Sequence, residues 1–273
     1  MRGPGEDETR KWSFSFVADA LLGSEGRSLR SEQLQAFYAQ AYLERNPDLD
    51  ATDAPYKAGL INEVCRSGGL THADSLLEIG CGSGALLQQM KSHLQASHLV
   101  GVDYSAAISL AGRERHGHQV ARADGVALPF RTGCFDLAYF ADVLEHVLDP
   151  VSFLREVARV GRRVVFYVPI EAGLVSNAIY VTRRLRGKTT NYEQYGHIWR
   201  WNRRQILRLV RAAGIHIEAY RCFQAPPQLE GMNKLGRAVE TMRIRTGALS
   251  STAAEALFGT GVVVCLARRI DEP

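Results

Sequence analysis

The sequence predicts an α/β protein built on a parallel sheet with helices on both faces. Three observations predict it. Short apolar runs alternate with helical periods from Ser75 to Val168, the signature of strands joined by crossover helices. One run leads straight into three alternate glycines, Gly80, Gly82 and Gly84, and then into a helical pattern. The chain has 273 residues, 46% hydrophobic and 23% charged, which suits one large domain with a sizeable core rather than two full ones.

Taken in order, residues 1–11 are charged and are expected to form a disordered tail. Residues 12–69 read as a helical cap. Phe14, Val17, Leu21 and Leu22 fall on one face, and Leu34, Phe37, Tyr38, Ala41 and Tyr42 recur at three- and four-residue spacing. Asn46-Pro47 stops that pattern. A further helix is predicted over Pro55–Arg66, ended by Gly68-Gly69. Ser75–Ile79, Leu99–Asp103, Gln119–Ala121, Phe135–Phe140 and Val164–Val168 read as strands. Ala85–His93, Ser105–Arg115 and Val151–Val160 read as the helices between them. Beyond Pro169 come helices over Ala172–Arg186 and Asn202–Ala213, the second capped by Asn202 and burying Ile206, Leu207, Leu209 and Val210. Strands over Ile215–Phe223 and Gly261–Arg268 follow, with a helix over Gly231–Ile244 between them.

Composition excludes several classes. The net charge of +4 is mild and does not by itself imply a nucleic-acid partner. No run approaches the 18 apolar residues of a membrane span, and residues 1–11 carry no signal-peptide pattern. The five cysteines contain no CxxC pair, so no zinc cluster or other metal site is expected. A reduced, cytoplasmic setting is the expectation.

The chemistry-bearing residues cluster at strand ends. The strand ending in Glu78-Ile79 enters Gly80-Cys81-Gly82-Ser83-Gly84. Glycine permits positive φ and close backbone approach to a ligand, and the next helix start offers free N–H groups. Asp103 ends the following strand, about 20 residues on, where its two oxygens can accept a vicinal diol. Asp124 can accept an adenine amino group, with Gly125 and Val126 beside it. Asp136 stands at the opposite end of its strand and reads as structural.

The order LEIGCGSG, VGVDYS, ARADGVALPF and CFDLAYFADVLEHV resembles the class I S-adenosylmethionine-dependent methyltransferases, specifically a bacterial small-molecule group related to ubiquinone-biosynthesis enzymes. The resemblance is specific over about residues 70–170. It implies a Rossmann-like seven-stranded sheet of order 3-2-1-4-5-7-6 with strand 7 antiparallel, in a domain over 70–273 with a substrate-side insertion at about 170–205. It implies that Gly80, Cys81, Gly82 and Gly84 border the methionine moiety of S-adenosylmethionine and that Glu78 helps organise it. Asp103 would bind the ribose and Tyr104 would lie near the adenine. Asp124, Gly125 and Val126 would meet the adenine edge. Ala141 and His146 would lie near the sulfonium or the substrate mouth.

Two other readings stay open. Gly80-x-Gly82-x-x-Ala85 also fits a loose dinucleotide fingerprint, so an NAD-linked oxidoreductase is the rival enzyme, and a non-catalytic cofactor-binding scaffold is the third class. For a methyltransferase the acceptor is expected to be a hydroxyl or amine of a small molecule, such as a secondary metabolite or sugar. His146 and His197 are the candidate catalytic groups. Tyr192, Tyr195 and His197 are candidate substrate contacts, and Tyr38 and Tyr42 candidate cofactor contacts. Between Val181 and Arg211 stand nine Lys or Arg and one acid, Glu193. That run reads as a solvated face, or as a surface for an acidic substrate or anionic membrane; no nucleic-acid module is visible.

Overall fold

The computed structural model describes residues 51–105, 119–186, 197–226 and 234–270. The helices expected before Asn46, the bulk of the helix expected over Ser105–Arg115, and Tyr38, Tyr42, Tyr192 and Tyr195 lie outside them.

The described chain opens with α1 (Ala54–Ser67), which has Pro55 in its first turn and ends at Gly68. Gly69 follows with φ +75°. Next come β1 (Ser75–Ile79), α2 (Ala85–Leu94), β2 (His98–Asp103) and β3 (Gln119–Arg122). β4 (Phe135–Ala141), a 3-10 turn (Leu144–His146), α3 (Pro150–Val160) and β5 (Gly161–Ile170) complete the first half. The second half holds α4 (Leu174–Leu185), α5 (Arg203–Ala212), β6 (Ile215–Phe223), α6 (Lys234–Leu249), α7 (Ser251–Phe258) and β7 (Gly261–Arg269).

The seven strands form one sheet of order β3-β2-β1-β4-β5-β7-β6. β1 to β5 pair in parallel, while β7 runs antiparallel to both β5 and β6. This is the order the resemblance implied. The central strands are buried on both faces, and alternate residues divide between two apolar clusters. Val164, Phe166 and Val168 join one cluster, with Phe153 and Val157 of α3 and Ile206 and Val210 of α5. Val165 and Tyr167 join the other, with Ile61 and Val64 of α1 and Leu87 and Met90 of α2. Such two-sided burial explains why these strands read as unbroken apolar runs.

Three differences from the sequence reading have local causes. β5 begins three residues before Val164 because Arg163, a polar start, is tied to Glu218 at 2.6 Å and to the Gly68 carbonyl. In α5 the buried residues are Ile206, Leu209 and Val210, whereas Leu207 is only half-buried; the 3.6-residue period places it at the flank of the stripe. The segment before β7 holds two helices, the second started by the Ser250 side chain accepting from the Ala253 amide. Asn202 caps α5 as expected, in a reciprocal pair with Gln205.

Asp136 has the structural role expected of it. Its Oδ2 accepts from the Ser75 hydroxyl and from the Ser75 and Asp74 amides, and Arg162 donates to Oδ1. The starts of β4 and β1 are thereby fastened together, on the edge of the sheet away from the cavity described next.

Candidate active site

Where parallel strands end, loops diverge and leave a crevice. Here the ends of β1, β2 and β4 surround a cavity of about 290 Å³. Glu78, Gly80, Cys81, Gly82, Asp103, Tyr104, Asp124, Gly125, Val126, Ala141 and His146 all line it.

The turn after β1 needs glycine for stated reasons. Gly80, Gly82 and Gly84 have φ of +70°, +50° and +77°, the left-handed region that side chains disfavour. A Cβ on Gly80 would also stand 2.5 Å from Val143 Cγ2. Gly84 does not itself line the cavity; it is the N-cap of α2.

Asp103 is 9% exposed. Its Oδ2 accepts from the Gly82 amide at 3.2 Å and its Oδ1 from the Ser105 amide at 3.0 Å. The carboxylate thus holds the glycine turn as well as facing the cavity. Burial raises its pKa, and the backbone donors at Ser105, Gly82 and Tyr104 oppose that rise. Glu78 is buried, and its Oε2 accepts from the Tyr139 hydroxyl at 3.3 Å. Burial lifts its pKa well above the carboxylate range, against the pull of Tyr139 and Lys57.

On the far wall, Asp124 Oδ1 accepts from the Val126 amide, so part of its carboxylate shapes its own turn, and its other oxygen is the one left for a ligand. Gly125 is required by packing: a Cβ there would lie 2.4 Å from Phe153 Cε2. Val102, Ala123, Val126, Leu148 and Phe153 give this wall an apolar character.

Several lining or neighbouring residues escaped the sequence reading. Lys57 projects from α1 into the cavity and pairs with Asp142 at 2.8 Å. Its signal was legible, because Lys57 stands three residues after Ala54 and four before Ile61 on the buried stripe of α1. Asp142 itself has φ +53°, an unusual conformation of the kind that gathers at functional sites. Glu145, fully buried, and Glu171, at the end of β5, were also missed.

His197 does not line the cavity. It stands behind His146, ring centroids 4.7 Å apart and planes at 86°. Its Nδ1 lies 2.8 Å from Glu171 Oε1. Burial would lower its pKa, but the hydrogen bond and charge of Glu171, with Glu145 and Asp142, outweigh that and raise it to about 9. Burial, reinforced by Asp142, pushes Glu145 up to about 8. The basic run is partly consumed within the fold. Arg200 is buried and donates to the Glu171 carbonyl and to Asn177, and Arg203 lies 3.3 Å from Glu255.

Residues 77–166 match a protein family described as a methyltransferase domain. Over that segment, about a third of the chain, the protein is similar to this methyltransferase domain. Its match begins inside β1 and ends inside β5, so it contains nearly the whole cavity wall. A demethylmenaquinone methyltransferase from Mycobacterium sp. (strain JLS) is 31% identical over 100 residues, 37% of this chain and 42% of that protein. The chain therefore spans less than half the length of that relative. A demethylmenaquinone methyltransferase from Roseiflexus castenholzii is 28% identical, covering 62% of this chain and 69% of the relative. Among solved structures, the Haloferax volcanii complex of the Trm112 activator with a methyltransferase aligns at TM-score 0.60 and 16% identity, over 86% of this chain and 98% of that one. Geranyl diphosphate C-methyltransferase from Streptomyces coelicolor A3(2), solved with Mg2+, geranyl diphosphate and S-adenosylhomocysteine, aligns at TM-score 0.54 and 17% identity, over 79% and 78%. The described chain thus has the fold of these solved methyltransferases, and the similarity supports S-adenosylmethionine as the cofactor.

The cavity's donor set fits this cofactor. Lys57 offers a cation, and the carboxyl group of Glu78 hydrogen-bonding atoms, to the amino-acid end of the cofactor. Asp103 offers acceptors to a ribose diol, and the apolar wall beside Asp124 suits an adenine ring.

Proposed function

We propose that the protein transfers a methyl group from S-adenosylmethionine to a hydroxyl or amine of a small molecule. One observation carries this reading: a single cavity runs past Glu78, the glycine turn, Asp103 and the Asp124–Val126 wall, and reaches Ala141 and His146. Amino acid, ribose and base each meet matching chemistry in the order in which they are joined in the cofactor.

The bound cofactor supplies a methyl already activated on sulfur. The protein's own residues position and shield it. Asp103 and the glycine turn fix the ribose side. Lys57 and Glu78 hold the amino-acid end in a buried setting. His146 is placed to touch the acceptor, and proton removal is needed only where the acceptor must lose a proton. The acceptor side is assigned to the segments around residues 170–205. A cytoplasmic setting belongs to this reading; all five cysteines are free, and among the described residues no helix is long and apolar enough to cross a membrane. An acidic acceptor has reduced support, because Arg200 and Arg203 are engaged internally.

Calorimetry with S-adenosylhomocysteine and with NAD, followed by a labelled-methyl assay over candidate acceptors, tests the proposal. S-adenosylhomocysteine binding with methyl transfer is expected. NAD binding with no response to S-adenosylhomocysteine would establish the oxidoreductase instead, and cofactor binding with no transfer to any acceptor the scaffold.

A further inference from the structure

We propose that Glu145, His146 and His197 form a binding site for a divalent transition-metal ion beside the cofactor cavity. One carboxylate oxygen and one nitrogen from each imidazole lie within 4.8 Å of one another. The juxtaposition is held by the main chain. The Ile198 and Trp199 amides both donate to the Glu145 carbonyl, and the Trp199 indole N–H donates to the Val147 carbonyl at 2.6 Å. His197 is thereby carried to His146 by backbone pairing rather than by a flexible side chain.

A second observation points to a ligand. Glu145 is 0% exposed, and among the described residues neither of its carboxylate oxygens has a hydrogen-bond partner. Buried carboxylates are ordinarily paired, hydrogen-bonded or bound to a metal. The surroundings lean negative: Asp142, Glu145 and Glu171 meet here. Of the nearby cations, Lys57 is engaged by Asp142 and Arg200 by the Glu171 carbonyl and Asn177.

The donor chemistry selects the ion. Two imidazoles and one carboxylate suit zinc, cobalt or iron(II), and three protein ligands leave a position open, as in catalytic rather than structural metal sites. Mg2+ prefers oxygen donors. Glu171 supplies the outer carboxylate that metal-binding histidines usually have: its Oε1 lies 2.8 Å from Nδ1 of His197, and the ion is assigned to Nε2. Binding at Nε2 releases any proton it carries. A metal so held can act as a Lewis acid on an acceptor hydroxyl. That use rests on the methyl-transfer reading; the binding does not.

The test is titration of the full chain with Co2+, read by visible absorption, and with Zn2+ by calorimetry. One equivalent is expected, with cobalt bands of a nitrogen–oxygen site that excess Mg2+ leaves in place. His146→Gln and His197→Gln should each weaken binding at least about tenfold, and Glu171→Gln should weaken it about ten- to hundredfold. Glu145→Gln is isosteric and carries the test should an imidazole variant fail to fold. The proposal is overturned by the absence of cobalt bands. It is equally overturned by bands that persist in the Glu145 and histidine variants, which would place the ion on exposed histidines such as His72 or His98. S-adenosylhomocysteine calorimetry on the same samples reports separately on the methyl-transfer reading.

Discussion

Replacing Asp103 by alanine removes the acceptor assigned to both ribose hydroxyls. In the folded protein that carboxylate already accepts from the Gly82 and Ser105 amides, so the substitution also leaves two N–H groups at the cavity edge to water. A hydrogen bond to a charged group contributes about 1.5 kcal/mol or more. Two such bonds lost give about 3 kcal/mol, near a hundredfold in affinity, and water entering the vacated space brings the lower bound to about 1.4 kcal/mol, or tenfold. Calorimetry with S-adenosylhomocysteine measures the change. A melt without ligand measures damage to the turn itself, and Asp103→Asn keeps the volume while removing the charge. An Asp103→Ala protein that melts normally and binds within threefold of the parent would show that the ribose does not lie on Asp103.

Other outcomes are expected. Gly125→Ala puts a methyl 2.4 Å from Phe153 and should destabilise by about 1–3 kcal/mol, seen as a lower Tm even without cofactor. Lys57→Met strands the Asp142 carboxylate; the loss of one partner from a largely buried pair should cost about 3 kcal/mol and weaken S-adenosylhomocysteine binding, while unchanged affinity would remove Lys57 from the site. Asp136 is raised by its partial burial but brought below its ordinary value by Ser75 and Arg162. The stability it contributes is present above its unfolded pKa and disappears as pH falls through the lower folded one. Asp136→Asn should therefore lower the Tm at pH 7 by an amount worth roughly 1 kcal/mol, and the gap from the parent should close below about pH 4; a gap independent of pH would refute the assignment.

The cofactor wall was legible because its residues carry backbone constraints that leave a mark in the sequence. Three alternate glycines after an apolar run admit few meanings once positive φ is required, and Asp103 and Asp124 follow strand ends. The seven-strand order was available only through the resemblance to a family, since strand pairing is not written in local periodicity. Glu145 was invisible for a physical reason: it sits in a short 3-10 turn, where no period distinguishes inward from outward positions. Glu171 stood just past Ile170, and its meaning emerged only when His197, 26 residues later, came to lie against it. Gly84 and His197 stand outside the cavity lining, a distinction spacing does not make, because spacing identifies a segment whereas the direction of each residue depends on the neighbouring turn.

The stretch from Glu171 to Trp201 is fastened at both ends to the same edge of the sheet. The Glu171 and Ala172 amides donate to the Trp201 carbonyl, closing the two ends on each other, while Ile198 and Trp199 are moored to Glu145. Such a closed staple fixes where the stretch leaves the sheet and where it returns. Its length and composition can change over evolutionary time, or in a designed chimera, while the wall that receives the methyl donor keeps its shape. On the methyl-transfer reading, one scaffold can in this way take new acceptors without relearning how to hold its reagent.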